Sequence, residues 1–160
     1  MAQINSLNYT TYAADRKVAS RDWGGRKRSF TQSILCAAAA DTTLGAVAVA
    51  AGDCVRMFRI PTGHKFCGGN LTWSALGAGT NIWVGDINVC DRFLASTPTV
   101  GASGCNRLGM VQTASFVAAT KTPATGVGYL FTCDTDIIVA FGYGGAPVGV
   151  LTLQMDTVVE

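Results

Sequence analysis

The feature that most constrains the fold is a tight turn between two runs of strand-forming residues in the first half of the chain. Residues 53–60 (DCVRMFRI) are followed by Pro61-Thr62-Gly63, and a second run occupies 65–73. Proline sets φ at the second position of such a turn, and glycine supplies the positive φ that other residues resist. The pattern therefore predicts a strand, a turn and a second strand.

Further short runs of β-forming residues predict that the rest of the chain is also built from strands. In the last of them Leu151, Leu153 and Met155 are expected to face the core, while Thr152 and Gln154 point outward. Eight to ten short antiparallel strands without a long helix indicate an all-β fold, a β-sandwich or jelly-roll-like barrel. The predicted strands cover 28–39, 46–50, 53–60, 65–73, 80–84, 91–95, 111–119, 128–133, 136–143 and 147–155, and 96–107 is predicted to be a loop.

Three segments carry additional local predictions. A helix over 30–40 is an alternative to the first strand, because this segment ends in four alanines. The double glycine at 68–69 inside a strand indicates a bulge or a close approach of two backbones. The final strands are separated by short turn sequences, so we expect them to form consecutive antiparallel hairpins.

The composition favours a neutral exterior. Charged residues make up 14% of the chain and hydrophobic residues 49%, whereas an average soluble domain has about 25% charged residues. A largely neutral surface suits a protein that spends its working life against other subunits. The net charge of +2 is too small to imply that the whole chain binds a polyanion.

The basic residues are concentrated near the N-terminus, in a segment that is polar and aperiodic. We expect residues 1–27 to form an extended basic arm and 28–160 to form one β-sandwich body. A frayed, solvated terminus is the alternative, and contact with nucleic acid is another. The candidate partner-binding residues of the arm are Tyr9, Tyr12, Arg16, Lys17, Arg21, Trp23, Arg26, Lys27 and Arg28.

Targeting signals are not recognisable in this sequence. The first residues have neither a basic nor an apolar region of the kind that a signal peptide requires. The most apolar window, 34–52, is interrupted by Asp41-Thr42-Thr43 and falls short of the roughly 20 apolar residues that a membrane span needs. We therefore expect synthesis in the cytosol and no membrane partner.

The six cysteines stand singly and are expected to be reduced, buried thiols, with disulfides formed after cell lysis as the alternative. They are Cys36, Cys54, Cys67, Cys90, Cys105 and Cys133. His64-x-x-Cys67 is the one pair with the spacing of zinc ligands, and a four-ligand site needs a second pair.

Residues that could carry chemistry are few. The single histidine, His64, adjoins the turn and is expected to be a surface turn residue. Asp86, Asn88 and Asp91 superficially suggest a calcium site, although aspartate at strand ends is also the usual residue of Asx-turns. Trp73 and Trp83 offer either a sugar-stacking face or ordinary core residues. We predict no catalytic, cofactor-binding or metal-binding residue and no cofactor.

The turn region also carries a resemblance to a known family. Residues 52–65 (GDCVRMFRIPTGHK) are followed by Leu76-Gly77, Trp83-Val84-Gly85-Asp86 and Asp91-Arg92-Phe93-Leu94. This series resembles the decoration, or cement, proteins of tailed bacteriophages, over residues 52–95.

The resemblance implies a structural virion protein on the capsid exterior, made in the host bacterial cytoplasm. It implies a homotrimer that clamps neighbouring subunits of the major capsid protein, without enzymatic activity, nucleic acid, membrane or small-molecule substrate. The basic arm would then contact acidic surface on the major capsid protein or on a sister subunit. The alternatives are a phage fibre or tail component, a carbohydrate-binding module that recognises a host surface, and a secreted disulfide-rich β protein.

Overall fold

A computed structural model describes residues 3–5, 27–41, 45–77, 79–99, 102–109, 127–142 and 144–159. The described residues form ten strands and no helix. The strands are β1 (Gln3–Asn5), β2 (Lys27–Ala37), β3 (Ala46–Ala48), β4 (Cys54–Ile60), β5 (His64–Trp73), β6 (Thr80–Asp86), β7 (Leu94–Thr99), β8 (Gly104–Arg107), β9 (Thr135–Gly142) and β10 (Gly149–Val159).

The strands form two five-stranded sheets. The first sheet has the order β1-β4-β9-β6-β7, and the second has the order β3-β2-β10-β5-β8. The predicted all-β sandwich is confirmed, and the helix alternative over 30–40 is wrong because β2 occupies most of that segment. The expectation of purely antiparallel pairing is also wrong, because the three-residue edge strands β1 and β3 pair in parallel with β4 and β2.

The core lies between the two sheets. Leu151, Leu153 and Met155 on β10 are fully buried, as the alternation of the sequence predicts, and they belong to the same apolar cluster as Val139 and Phe141 on β9. This shared cluster is the face-to-face packing expected of a β-sandwich. Burial of each such side chain contributes about 1.5–3 kcal/mol.

The turn 61–63 links the two sheets. Gly63 has φ of +80°, as the sequence predicts, but β4 and β5 lie in different sheets and do not pair. The N–H of Gly63 donates to the carbonyl of Phe131 (2.8 Å), and the N–H of Thr62 donates to Oδ1 of Asp134 (3.0 Å). The segment is therefore a crossing between sheets at one end of the sandwich.

The double glycine at 68–69 has both predicted properties. The register between β5 and β10 shifts between Asp156 and Thr157, which pair with Gly68 and Phe66. A Cβ on Gly69 would lie 2.2 Å from the carbonyl oxygen of Gln154, so only glycine allows the two backbones to approach this closely. A bulge and a close approach therefore occur together.

Several predicted elements in the second half of the chain are wrong. Residues 91–93 form a turn, and the predicted loop 96–107 contains most of β7 and all of β8. Both strands lie at sheet edges, where tertiary pairing outweighs the weak local pattern and where a proline such as Pro98 is tolerated.

Two more predictions from this part of the chain fail or remain untested. The strand predicted over 128–133 is reduced to a bridge between Leu130 and Lys65. The expected consecutive hairpins are absent, because β9 and β10 belong to different sheets. The strand predicted over 111–119 lies outside the described residues.

Candidate interaction surface

The predicted arm meets the sandwich at Lys27 and Arg28, the first residues of β2. The other candidates of the arm, Tyr9, Tyr12, Arg16, Lys17, Arg21, Trp23 and Arg26, lie outside the described residues, so their role and the boundary at residue 27 stay predictions. Lys27 Nζ lies 2.9 Å from Oδ2 of Asp156, with side-chain exposures of 66% and 15%. Burial alone would raise the pKa of Asp156, but hydrogen bonds from Lys27, Ser29 and Gln154 and the Lys27 charge lower that pKa below its ordinary value.

The histidine is not a surface turn residue, so that prediction is wrong. His64 is only 4% exposed, because β5 begins at this residue immediately after the crossing turn and its ring packs edge-on against Phe30. Nδ1 lies 2.8 Å from Oγ1 of Thr157. Burial lowers the pKa of His64 and the charge of Arg28 lowers it further, so the ring is neutral at neutral pH.

The centre of the outer surface of the second sheet is an array of hydroxyl and amide side chains, which we call the hydroxyl face. The charged Arg107 on β8 borders it beside Asn70. Oγ of Ser33 and Oγ1 of Thr152 are 2.7 Å apart, and Thr152 pairs on its other side with Thr72. The face consists of Thr31, Ser33, Asn70, Thr72, Thr152 and Gln154, none of which is charged. It can therefore make neutral hydrogen-bonded contacts, and the ion pair of Lys27 with Asp156 marks one end of it.

The outer surface of the first sheet has a different chemistry. Cys54, Ile138 and Ala140 form a small buried apolar cluster apart from the core, with Trp83 packed against it. Beside this cluster Arg59 donates to both carboxylate oxygens of Asp136, at 2.6 and 3.2 Å. We call this surface the apolar face.

Arg56 also lies near Asp136, with Nη1 at 3.9 Å from Oδ2. Two guanidinium groups therefore share one carboxylate on the apolar face.

The turn after β6 is organised by a buried carboxylate. Asp86 is 1% exposed, and its Oδ1 accepts the N–H groups of Asn88 (2.9 Å) and Val89 (2.8 Å). Its Oδ2 accepts from Nε of Arg92 at 2.5 Å, and the Arg92 guanidinium stacks 4.3 Å from the ring centre of Tyr129. The Asx-turn interpretation is therefore confirmed.

The same turn displays Ile87 and Val89 to solvent. The described residues contain no group of three or more His, Cys, Asp or Glu side chains that is arranged to hold a metal ion. The carboxylate of Asp86, which the calcium alternative would need as a ligand, is already used by two backbone amides and an arginine.

The cysteine prediction is wrong for four of the six residues. Cys36 and Cys54 are buried, whereas Cys67, Cys90, Cys105 and Cys133 are exposed. The exposed thiols lie at the bulge of β5, in two turns and on the edge strand β8, where none of the described residues buries them. Burial raises the pKa of Cys36 to about 12, and burial, assisted by Cys90 and Asp53, also raises the pKa of Cys54.

The two tryptophans do not share a surface, so the sugar-stacking alternative is wrong. Trp73 lies on β5 in the second sheet and packs over Gly104, whereas Trp83 lies on β6 in the first sheet and packs over Gly142. A Cβ on Gly142 would come within 2.0 Å of the Trp83 ring. Each ring fills a space that its glycine leaves open.

The part of the chain that the structure describes contains no helix with the length and apolar character needed to cross a membrane. No family model matches the chain, and no curated protein matches it.

Solved structures match the chain over almost its whole length. A chain of the capsid of Ralstonia phage GP4 aligns with a TM-score of 0.68 and 17% identity over 99% of both chains. A chain of the cyanophage Pam1 capsid asymmetric unit aligns with a TM-score of 0.60 and 15% identity, over 92% of this chain and 96% of that one. At these identities the shared property is the fold, a two-sheet β-sandwich that also occurs in phage capsids.

Proposed function

We propose that the protein is a structural component of a bacteriophage virion, a decoration protein that binds the outside of the head and stabilises contacts between major capsid protein subunits. The observation that carries this proposal is the match, over nearly whole chains, to chains of two phage capsids. The sequence resemblance over 52–95 supports it independently, because it rests on turn and strand motifs rather than on overall shape.

The completeness of the alignment favours an accessory role. It covers 99% of the Ralstonia phage GP4 chain, so a chain with this fold and about this size is a component of that capsid rather than one domain of a longer chain. Sandwiches of this size bound across the joints between capsomers would add buried area there. A standard interface buries about 1,600 Å², and its repetition over a shell would resist internal pressure although each contact is modest.

The charge distribution suggests how the protein attaches. Its arm carries basic residues together with Tyr9, Tyr12 and Trp23, and aromatic and arginine side chains are enriched at interface hot spots. We infer that the arm contacts acidic surface on the major capsid protein or on a sister subunit. Lys27 and Arg28 join this arm to the sandwich, where Lys27 already pairs with Asp156.

The proposed assembly is a homotrimer on the capsid exterior, built from chains made in the host cytoplasm. We assign it no catalytic role, cofactor, nucleic acid, membrane or small-molecule partner. Light scattering of the purified protein would measure the oligomeric state directly. If the protein is monomeric at every concentration up to that used for binding, a preformed trimer is contradicted. That result would leave the proposed role on the capsid unchanged.

Binding to heads that lack the protein tests the function. Full-length protein should co-sediment with such heads at low salt and less at high salt, because exposed ion pairs are screened. Failure of the full-length protein to bind would overturn the decoration role.

A charge variant tests the arm separately. The combined change Arg16→Gln, Lys17→Gln, Arg21→Gln and Arg26→Gln keeps the described residues intact and should weaken binding by roughly tenfold or more at low salt. The control is Lys65→Gln with Arg107→Gln, which removes basic groups from β5 and β8 of the body. A loss in proportion to the number of charges removed, half as large in free energy for the two-charge control, would show that only total charge matters.

A further inference from the structure

His64 lies where three parts of the sandwich meet. It begins β5, its carbonyl accepts the N–H of Phe131 (2.8 Å), and its ring contacts β2 through Phe30. Its Nδ1 is 2.8 Å from Oγ1 of Thr157 on β10. A single buried imidazole therefore touches the start of β2 and the end of β10.

The bulge in the second sheet interrupts the pairing of this end of β10 on one side. The pairing of β10 with β2 is continuous from Gly149 to Val158. The register between β10 and β5, however, breaks between Asp156 and Thr157, so on this side residues 157–159 form their own short ladder. In that ladder Val159 pairs with His64, while Thr157 and Val158 pair with Arg28 and Lys27. The bulge thus marks a boundary at which 27–28 and 157–159, which stay paired with each other, can separate from β5.

The charges around the ring oppose an additional positive charge. Among the described residues, the charged groups on the surrounding elements are Lys27 and Arg28 on β2, Lys65 on β5, Asp156 on β10 and Asp134 in the loop that binds the crossing turn. Asp156 is engaged with Lys27, and Asp134 accepts the N–H of Thr62. The Arg28 charge acts directly against protonation of His64.

We propose that His64 is a proton-sensitive latch, and that its protonation releases residues 27–28 and 157–159 while the remainder of the sandwich stays folded. Burial and the charge of Arg28 both disfavour an imidazolium at this position, so the proton is accommodated by opening. Because Lys27 and Arg28 are the residues at which the N-terminal segment joins the body, acid would free that junction. The inference concerns the sandwich alone and holds whatever the protein binds.

The sign of the effect follows from linkage. The pKa of His64 is lowered in the folded state, so the closed latch has its full stability above the ordinary histidine pKa of about 6.5 and loses it as the pH falls below that value. Opening takes up one proton, so the open population rises by up to about tenfold per pH unit in this window. The loss ends at the lowered pKa of the folded state.

Two measurements on the full-length protein test the latch. His64 is the sole histidine, so its ring signals in an NMR titration report one pKa, which is expected below 6.5. Hydrogen exchange, corrected for the intrinsic rate, should show the protection of amides 157–159 falling by up to about fivefold between pH 6.5 and 5.5, while Val139 in β9 keeps its protection.

The variant His64→Gln should abolish this pH dependence, because the side chain no longer titrates. If His64→Gln does not fold, Arg28→Gln retains the ring and should raise its pKa and move the onset of opening to higher pH. A ring pKa at or above 6.5, an identical response in wild type and His64→Gln, or an unchanged onset in Arg28→Gln would each overturn the latch.

Discussion

The central strands of the two sheets differ in how they are buried. In β9 five consecutive residues, 137–141, are buried, whereas in β10 burial alternates residue by residue from Leu151 to Thr157. The first sheet is therefore shielded on both faces at its centre, and the second sheet is shielded on its core side alone. Only the second sheet presents its central strand as an open surface, and that surface is the hydroxyl face.

Because of this difference, we expect the two sheets to respond differently to substitutions on their outer faces. Ile138 and Ala140 stabilise the first sheet from its outer side, so substitutions there act on folding. Thr152 and Gln154 on the hydroxyl face make polar contacts that are partly open to solvent, so substitutions there should be better tolerated.

The largest expected difference in stability is between substitutions of two aspartates, each of which forms an ion pair with a basic side chain. Asp86 at the end of the first sheet is buried with Arg92 and two backbone amides, whereas Asp156 on the second sheet pairs with the exposed Lys27. We expect Asp86→Ala to lower the free energy of unfolding by about 3–5 kcal/mol. Asp156→Ala should cost about 1 kcal/mol or less.

Urea unfolding of both variants at neutral pH measures this difference. The variant Asp86→Asn is the matched control, because it keeps an oxygen acceptor for the backbone amides and removes the charge, so its loss should be intermediate. Similar losses in Asp86→Ala and Asp156→Ala would contradict the distinction between a buried and an exposed ion pair.

A second contrast compares the outer faces directly. Ile138→Ala removes a side chain from the buried cluster on the apolar face and should cost about 2–4 kcal/mol. Thr152→Ala removes one hydrogen bond to Ser33 on the hydroxyl face and should cost about 1 kcal/mol. Thermal unfolding under identical conditions compares the stability of the two variants. An equal loss of stability in Thr152→Ala and Ile138→Ala would mean that the hydroxyl face contributes as much to folding as the apolar face does.

Much of this contrast is readable in the sequence. The alternation of Leu151, Leu153 and Met155 fixes the orientation of β10, and the double glycine locates the bulge. The continuous run Ile137-Ile138-Val139-Ala140-Phe141 is typical of a strand buried on both faces, but composition alone does not say which sheet contains it. The crossing from β4 to β5 could not be predicted for a similar reason. A Pro-x-Gly turn can join two strands of one hairpin or two strands that belong to different sheets.

The candidate site was harder to predict than the fold. Burial of His64 and Asp86 depends on partners far away in the sequence, Thr157 for the histidine and Tyr129 stacked on Arg92 for the aspartate. Three of the four exposed cysteines, Cys90, Cys105 and Cys133, lie in turns or on an edge strand whose local patterns were weak. The seven arm residues from Tyr9 to Arg26 stay predictions, and the binding experiment with the arm charge variant addresses them.

The smallest expected effect is the loss of stability in acid that comes from Asp156, at the end of the hydroxyl face. The pKa of Asp156 is lowered in the folded state, where hydrogen bonds from Lys27, Ser29 and Gln154 outweigh the effect of burial. A lowered carboxyl pKa gives stability that is complete above the unfolded value of 3.8 and is lost as the pH falls through the folded value. Because Lys27 is largely exposed, solvent screening should keep this contribution below about 1 kcal/mol.

The measurement is the difference in free energy of unfolding between wild type and Asp156→Asn, followed from pH 5 to pH 2.5. Other carboxylates titrate equally in both proteins, so the difference isolates Asp156 and should shrink towards zero in acid. A difference that stays constant through this range would show that the Lys27–Asp156 contact contributes through packing of the lysine chain over the strand rather than through its charge.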